Sequence, residues 1–217
     1  MKQPLKSGAE EFLFQLNYKE NFKMENIITN KRDIDYAMKH LMESKLGCMG
    51  EVHLEHRRAG EVLYSGYQGK NTFTTEGMAL MHNVLWGATA KITQVYCGLW
   101  KGSGIVPALA DTAAVKLGAA GTYTECQDAD YDSPATNRAE YDIAATTTAV
   151  ATNAAAKCEF VMACASPITL YGAFLCTAAA KTATTGALIC AKLFTTARAV
   201  VDNDEISVGY QITFTSS

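Results

Sequence analysis

With 217 residues, of which 48% are hydrophobic and 19% charged, the chain is long enough to bury a core without disulfides or metals. A formal net charge of -3 supplies no general attraction for nucleic acid, so nucleic-acid binding is not expected. No run of about 18 apolar residues is present to suggest a membrane span.

The N-terminal Met1-Lys-Gln-Pro-Leu-Lys6 leads into mixed charge, not an apolar run, and so does not read as a signal peptide. Charge is unevenly spread, the first 70 residues carrying 21 of the 41 charged side chains. Beyond Gly87 the chain turns rich in alanine, threonine and glycine. This shift places an organisational boundary between Gly60 and Asn71. It divides the chain into a helical and extended attachment arm over 1–60 and a β domain over 61–217.

In the arm, Ser7-Gly-Ala-Glu10 has capping-box spacing ahead of Phe12, Leu13 and Leu16. Asn30-Lys-Arg-Asp33 precedes Ile34, Met38, Leu41 and Met42 at helical spacing, with Gly47 as a stop. These helices offer too little apolar surface for a core of their own. Phe12, Phe14, Leu16, Ile34 and Met38 are therefore the candidate anchors of an arm that docks on something else. His53-Leu-Glu-His56 would suit a metal only if helical, since in a strand the two rings face opposite ways. A solvated charged face is the expectation there. Gly66-Tyr-Gln-Gly69-Lys70-Asn71 lacks phosphate-loop spacing and reads as a turn.

The spacing predicts a short helix over 75–86. Thr74 or Thr75 caps it, Met78, Met81 and Leu85 form its stripe, and Gly87 ends it. His82 on this helix reads as a packed or partly exposed residue. From Lys91 onward period-two alternation takes over. It is clearest where Ile206, Val208, Tyr210, Ile212 and Phe214 share one face of a half-buried strand. Ile92 to Trp100, Thr122 to Cys126, Cys158 to Ala165, Ile168 to Cys176 and Ala187 to Phe194 are further strand candidates. Ser166-Pro167, Lys181-Thr-Ala-Thr-Thr-Gly186 and Asp202-Asn-Asp204 punctuate them, and Ala144 to Ala156 reads as an extended connection. The expected fold is mainly β: an antiparallel β-sandwich or jelly roll, with an N-terminal helical arm and one short helix before the first core strand.

Chemistry is sparse. Asp128, Asp130 and Asp132 alternate as calcium-chelating carboxylates can, but the glycine and distal glutamate of an EF-hand loop are missing. An acidic solvent loop is expected, with those three as the candidate metal residues. No Gly-x-Ser-x-Gly or comparable nucleophile motif is present, and neither catalysis nor a cofactor is expected. The seven cysteines form no Cys-x-x-Cys pair and mostly lie in apolar stretches. They read as reduced, buried thiols of a protein made in the cytoplasm.

Several stretches resemble small structural proteins of tailed-phage virions, over about residues 60–217. Lys70-Asn-Thr-Phe-Thr-Thr-Glu-Gly-Met-Ala-Leu-Met-His-Asn-Val-Leu-Trp86 has their Asn-Thr-x-Thr-x-x-Gly helix start. Gln94-Val-Tyr-Cys-Gly-Leu-Trp-Lys-Gly102 is similar to their first core strand. Ala108-Leu-Ala-Asp-Thr112 resembles the loop after that strand, and Tyr123-Thr-Glu125 the next strand. Tyr171-Gly-Ala-Phe-Leu-Cys176, Thr185-Gly-Ala-Leu188 and Asp202-Asn-Asp-Glu-Ile-Ser-Val208 match the closing half. Where many relatives carry a Tyr-x-x-x-Arg-Pro-like segment, this chain has Tyr131-Asp-Ser-Pro-Ala-Thr-Asn-Arg138-Ala139, and its arm lies outside the resemblance. The resemblance implies a non-enzymatic virion component, with a capsid cement or decoration protein as the preferred role. Its expected partners are the major capsid protein, other virion proteins and further copies of itself, with a trimer suiting a capsid three-fold. Alternatives are a neck, tail or baseplate adaptor and, in another class, a carbohydrate-binding or hydrolytic module.

Overall fold

In the computed structural model, which describes residues 46–87, 89–142 and 146–216, the chain is mainly β, with two antiparallel sheets. The elements run β1 (Leu46–Arg58), β2 (Glu61–Lys70), β3 (Thr72–Phe73), α1 (Thr75–Trp86), β4 (Tyr96–Trp100) and α2 (Ala113–Lys116). They continue with β5 (Tyr131–Ser133), β6 (Ala139–Glu140), β7 (Val150–Thr152), β8 (Cys158–Met162), β9 (Ile168–Cys176), β10 (Leu188–Val200) and β11 (Asp204–Ser216). The first sheet has the order β2-β1-β11-β8-β5, with β7 also on β11, and the second β3-β10-β9-β4-β6.

Alternation explains both sheets. In β11, Ile206, Val208 and Tyr210 are buried, and β1 answers with Val52 and Leu54. They share one core cluster with Phe160 of β8, Cys97 and Leu99 of β4, Leu170 and Leu175 of β9, and Cys190 of β10. Both sheets thus bury an apolar face in the same interior, and burial on this scale is the dominant stabilising term. The other face of the second sheet is covered too. Trp100, Phe174, Leu188 and Ala191 pack there with Ala113, Leu117 and Tyr123 from the segment after β4. Trp100 and Tyr123 stack at 4.5 Å. Strands buried on both faces read as apolar runs, which is the texture of Tyr171-Gly-Ala-Phe-Leu-Cys176.

Three expectations about strands and boundaries need correction. The stretch 46–58, assigned to the arm, is strand β1, so the β unit begins at Leu46 and not at 61. Its charges misled because Glu51, His53, Glu55 and Arg57 are the outward half of an alternating strand, with Val52, Leu54 and His56 buried between them. Gly66 to Lys70 lies within β2, where the register shift between Tyr67 and Gly69 leaves Gln68 as a bulge, and is not a turn between elements. Thr122 to Cys126 is not a strand. Thr124 has φ 50°, and only Glu125 bridges across to Trp100. The arm helices and the anchors Phe12, Phe14, Leu16, Ile34 and Met38 lie outside the described residues.

Helix α1 has the expected bounds, and Thr74 caps it, its hydroxyl oxygen accepting from the Gly77 N–H at 2.9 Å. Its stripe is only partly the expected one: Met81 packs with Leu80 against the core. Gly77 is the buried residue, pressed on the Ile189 backbone, while Met78 and Leu85 face solvent. A glycine early in a helix costs helix propensity, and here it permits the close approach to β10.

Gly172 is the sharpest test of the packing in the second sheet. A Cβ added there would meet the Trp100 ring and the Lys192 carbonyl. Gly172→Ala is expected to lower stability by about 1–3 kcal/mol through overpacking, read as a lower urea midpoint at unchanged m-value. An unchanged midpoint would contradict the packing described.

Candidate functional site

The three alternating aspartates do not converge. Asp130 is buried, and its two carboxylate oxygens accept from Lys101 Nζ at 2.6 and 2.7 Å, with the Gln127 N–H donating at 2.8 Å. Asp128 is exposed and pairs with Lys181 Nζ at 3.0 Å, while Asp132 is exposed to solvent. Among the described residues no group of three or more His, Cys, Asp or Glu side chains could hold a metal ion.

The neighbouring charges form a buried network that sequence spacing did not disclose. Arg138 and Glu125 are fully buried, with Arg138 Nε donating to Glu125 Oε1 at 2.6 Å and Nη2 to Oε2 at 2.8 Å. The same guanidinium donates to the carbonyls of Ala178 and Ala183 at 2.7 and 2.8 Å, and the Gly118 N–H donates to Glu125 at 2.7 Å. Burial pushes the Glu125 carboxyl above its ordinary value despite the opposing pull of Arg138. Lys181 is buried alongside, donating to the carbonyls of Tyr131 and Ala135 at 3.0 and 2.8 Å, with its ammonium 3.7 Å from the Tyr131 ring centroid. These bonds tie the loop after α2 to the loop between β9 and β10. Their donors and acceptors are spent on the fold.

A second polar group sits at the turn into β11. Asp204 is fully buried and accepts from His56 at 2.9 Å, from Arg58 at 2.7 and 2.8 Å and from the Val201 N–H at 2.9 Å. Burial works to raise its carboxyl, but the hydrogen bonds from Arg58, Val201 and His56 outweigh it and hold the pKa at about 2. His53 and His56 face opposite ways, His53 exposed and His56 on Asp204, as a strand requires.

The seven cysteines are free, and six are buried. Burial pushes the Cys97, Cys126 and Cys190 thiols well up, and Cys176 to about 11. A thiol held protonated in an apolar interior is a poor nucleophile. His82 is exposed with its ring 5.0 Å from that of Trp86, and neither a nucleophile nor a carboxylate is bonded to it among the described residues.

Among the described residues, large apolar side chains lie exposed on α1 and on the segment after β4. Trp86 is 68% exposed, Leu85 60%, Val106 70%, Leu109 56% and Val115 56%. The Thr75 N–H donates to the Leu109 carbonyl at 2.7 Å, joining the start of α1 to the loop after β4. The one charged residue of α1, Glu76, is turned inward, where it accepts from the Ala113 and Leu188 N–H groups at 2.8 and 2.7 Å. The loop Gly102 to Ala110 carries no charge at all. An exposed helix face normally carries charge, so an apolar and uncharged one marks a contact surface. On the outer face of the first sheet lie two adjoining depressions of about 490 and 330 Å³. They share Ala154 and Lys157.

No protein-family model, curated protein or solved structure matches the chain.

The buried charges lead to two expected outcomes. Arg138→Met leaves the Glu125 carboxylate buried without its partner and is expected to cost roughly 3–5 kcal/mol in chemical unfolding. Combining it with Glu125→Leu is expected to recover most of that loss. A double variant no more stable than the single one would contradict this. Asp204 has a folded pKa of about 2 against an ordinary 3.8, so its contribution is complete above about pH 4 and disappears as pH falls through 2. Thermal unfolding followed from pH 5 to pH 2 is expected to show about 2 kcal/mol of this acid-labile stability, absent in Asp204→Asn.

Proposed function

We propose that this chain is a non-catalytic structural component of a tailed-phage virion, a cement or decoration protein that stabilises the assembled shell. The observation that carries the reading is the uncharged apolar surface formed by α1 and the loop after β4. It is a face suited to a protein partner, on a molecule whose buried charges are consumed by its own fold. The virion assignment rests on the order of the resembling motifs; several of those segments fall on named elements, while Tyr123 to Glu125, matched to a strand, does not form one. Asn71 to Trp86 supplies α1, Gln94 to Gly102 supplies β4, Tyr171 to Cys176 ends β9, and Asp202 to Val208 makes the turn into β11.

On this reading the two sheets are the halves of a β-sandwich, jelly-roll in type, and the segment before Leu46 is the attachment arm. Phe12, Phe14, Leu16, Ile34 and Met38 are its anchors, the major capsid protein is the principal partner, and further copies of the chain complete a trimeric cluster. A protein that binds the assembled shell and not its free subunits stabilises the shell by mass action. Modest contacts suffice, since interfaces of about 1,200–2,000 Å² already support stable association.

The test is binding to purified shells lacking the protein, by co-sedimentation. Trp86→Glu and a variant lacking residues 1–45 are each expected to bind about tenfold more weakly or worse, and to lose protection of the shell against heat. Binding by both at the level of the intact chain would overturn the reading.

A further inference from the structure

The outer face of the first sheet is shaped by the small residues of its central strand. Ser207 and Gly209 point out of β11 between longer side chains, with Glu55 and His53 of β1 on one side and Glu159 and Lys157 on the other. A Cβ on Gly209 would lie 3.5 Å from His53 Cβ and 3.8 Å from Lys157 Cγ, so the floor is lowest where a side chain is missing. The result is a groove along β11 from Glu205 to Gln211, about 20 Å long at the rise of an extended strand. The segment Ala154 to Lys157 walls one side. Its two depressions, of about 490 and 330 Å³, are of the size that holds a small ligand or a few units of a polymer.

We propose that this groove binds a neutral, hydroxyl-rich oligosaccharide, a function separate from shell docking and on a different face. Glu51, Glu55, Glu159 and Glu205 offer acceptors, Arg57 and Lys157 offer donors, and Ser207 and Gln211 offer both. Sugar hydroxyls donate and accept alike, so they can satisfy such a mixed lining along its whole length. Several of these groups are already held in place. Glu55 accepts from Arg57 at 2.6 Å and from Lys157 at 3.1 Å, and Tyr67 donates to Glu51 at 3.4 Å. Fixed side chains reduce the entropy lost on binding. Tyr67, half exposed and 5.9 Å from the His53 ring, gives a sugar ring an aromatic surface beside the groove.

Other occupants fit less well. Four carboxylates against two cations disfavour nucleic acid and acidic glycans, and the polar lining of the larger depression disfavours lipid. An extended peptide would find no free backbone groups, because β11 is paired with β1 on one side and with β7 and β8 on the other. A cationic segment would also have to displace Arg57 and Lys157 from Glu55.

The experiment applies the full chain to an array of neutral, sialylated and sulfated oligosaccharides. The best neutral hexasaccharide is then titrated calorimetrically, in parallel with a lysine-rich peptide. Neutral glycans are expected to bind. Ser207→Tyr, which fills the floor, should weaken binding at least tenfold, and Glu205→Gln several-fold, with thermal unfolding unchanged. Trp86→Glu should leave glycan affinity intact while reducing shell binding, so the two proposals fail separately. Absence of any neutral hit, binding confined to acidic glycans or to the peptide, or affinity untouched by both groove substitutions would overturn the assignment.

Discussion

The register of β11 against β1 is the constraint on which the rest of the molecule depends. The two strands pair without a slip from Leu46 opposite Ser216 to Arg58 opposite Asp204. This pairing sends Ile206, Val208 and Tyr210 into the core, and leaves Glu205, Ser207 and Gln211 outside. A shift of one residue would exchange the two sets. Asp204 holds the register at the strand's first residue, because His56 and Arg58 reach it from β1 while the Val201 N–H closes the turn beneath it. The floor of the proposed groove and the centre of the core are thus opposite faces of one strand.

The interior uses polar chemistry for fastening. Arg138 and Glu125 bring together carbonyl and amide groups from loops that would otherwise have no regular partner, and Lys181 does the same for Tyr131 and Ala135. Buried groups satisfied in this way specify one arrangement of the loops, and each becomes costly if its partner is removed. With those charges spent internally, the surfaces open to partners are of two different kinds. One is apolar and uncharged around α1, and the other is polar and grooved along β11. On the two proposals above, a protein face and a hydroxyl-rich ligand are the respective complements.

Much of this architecture was legible in the sequence. Thr75 to Trp86 and Ile168 to Cys176 have the bounds that caps, Ser166-Pro167 and apolar texture predicted, and the alternation runs as expected from Ile206 to Tyr210, beyond which Phe214 is exposed. These segments carry strong local signals. β1 was missed because its charges dominate the composition, although Val52 and Leu54 alternate with them. Thr122 to Cys126 was misread because Thr124 turns the chain in a way that residue type does not reveal. The outward stripe of α1 was illegible for a tertiary reason: Gly77, and not Met78, is the residue that fits against Ile189. The Arg138–Glu125 pair joins positions 13 apart through a fold that no local pattern encodes. The aspartate run was visible, but its fate depended on Lys101 and Lys181, which only the folded chain brings near.

The proposed role has the chain working by occupying a place in a particle and not by turnover. If the proposed role holds, quantitative mass spectrometry of purified virions from lysates in which the chain is expressed tests it most directly. The expected result is the chain in those particles at a fixed, many-copy ratio to the major capsid protein, retained through density-gradient purification. Abundance in the lysate with none in the purified particles would contradict it.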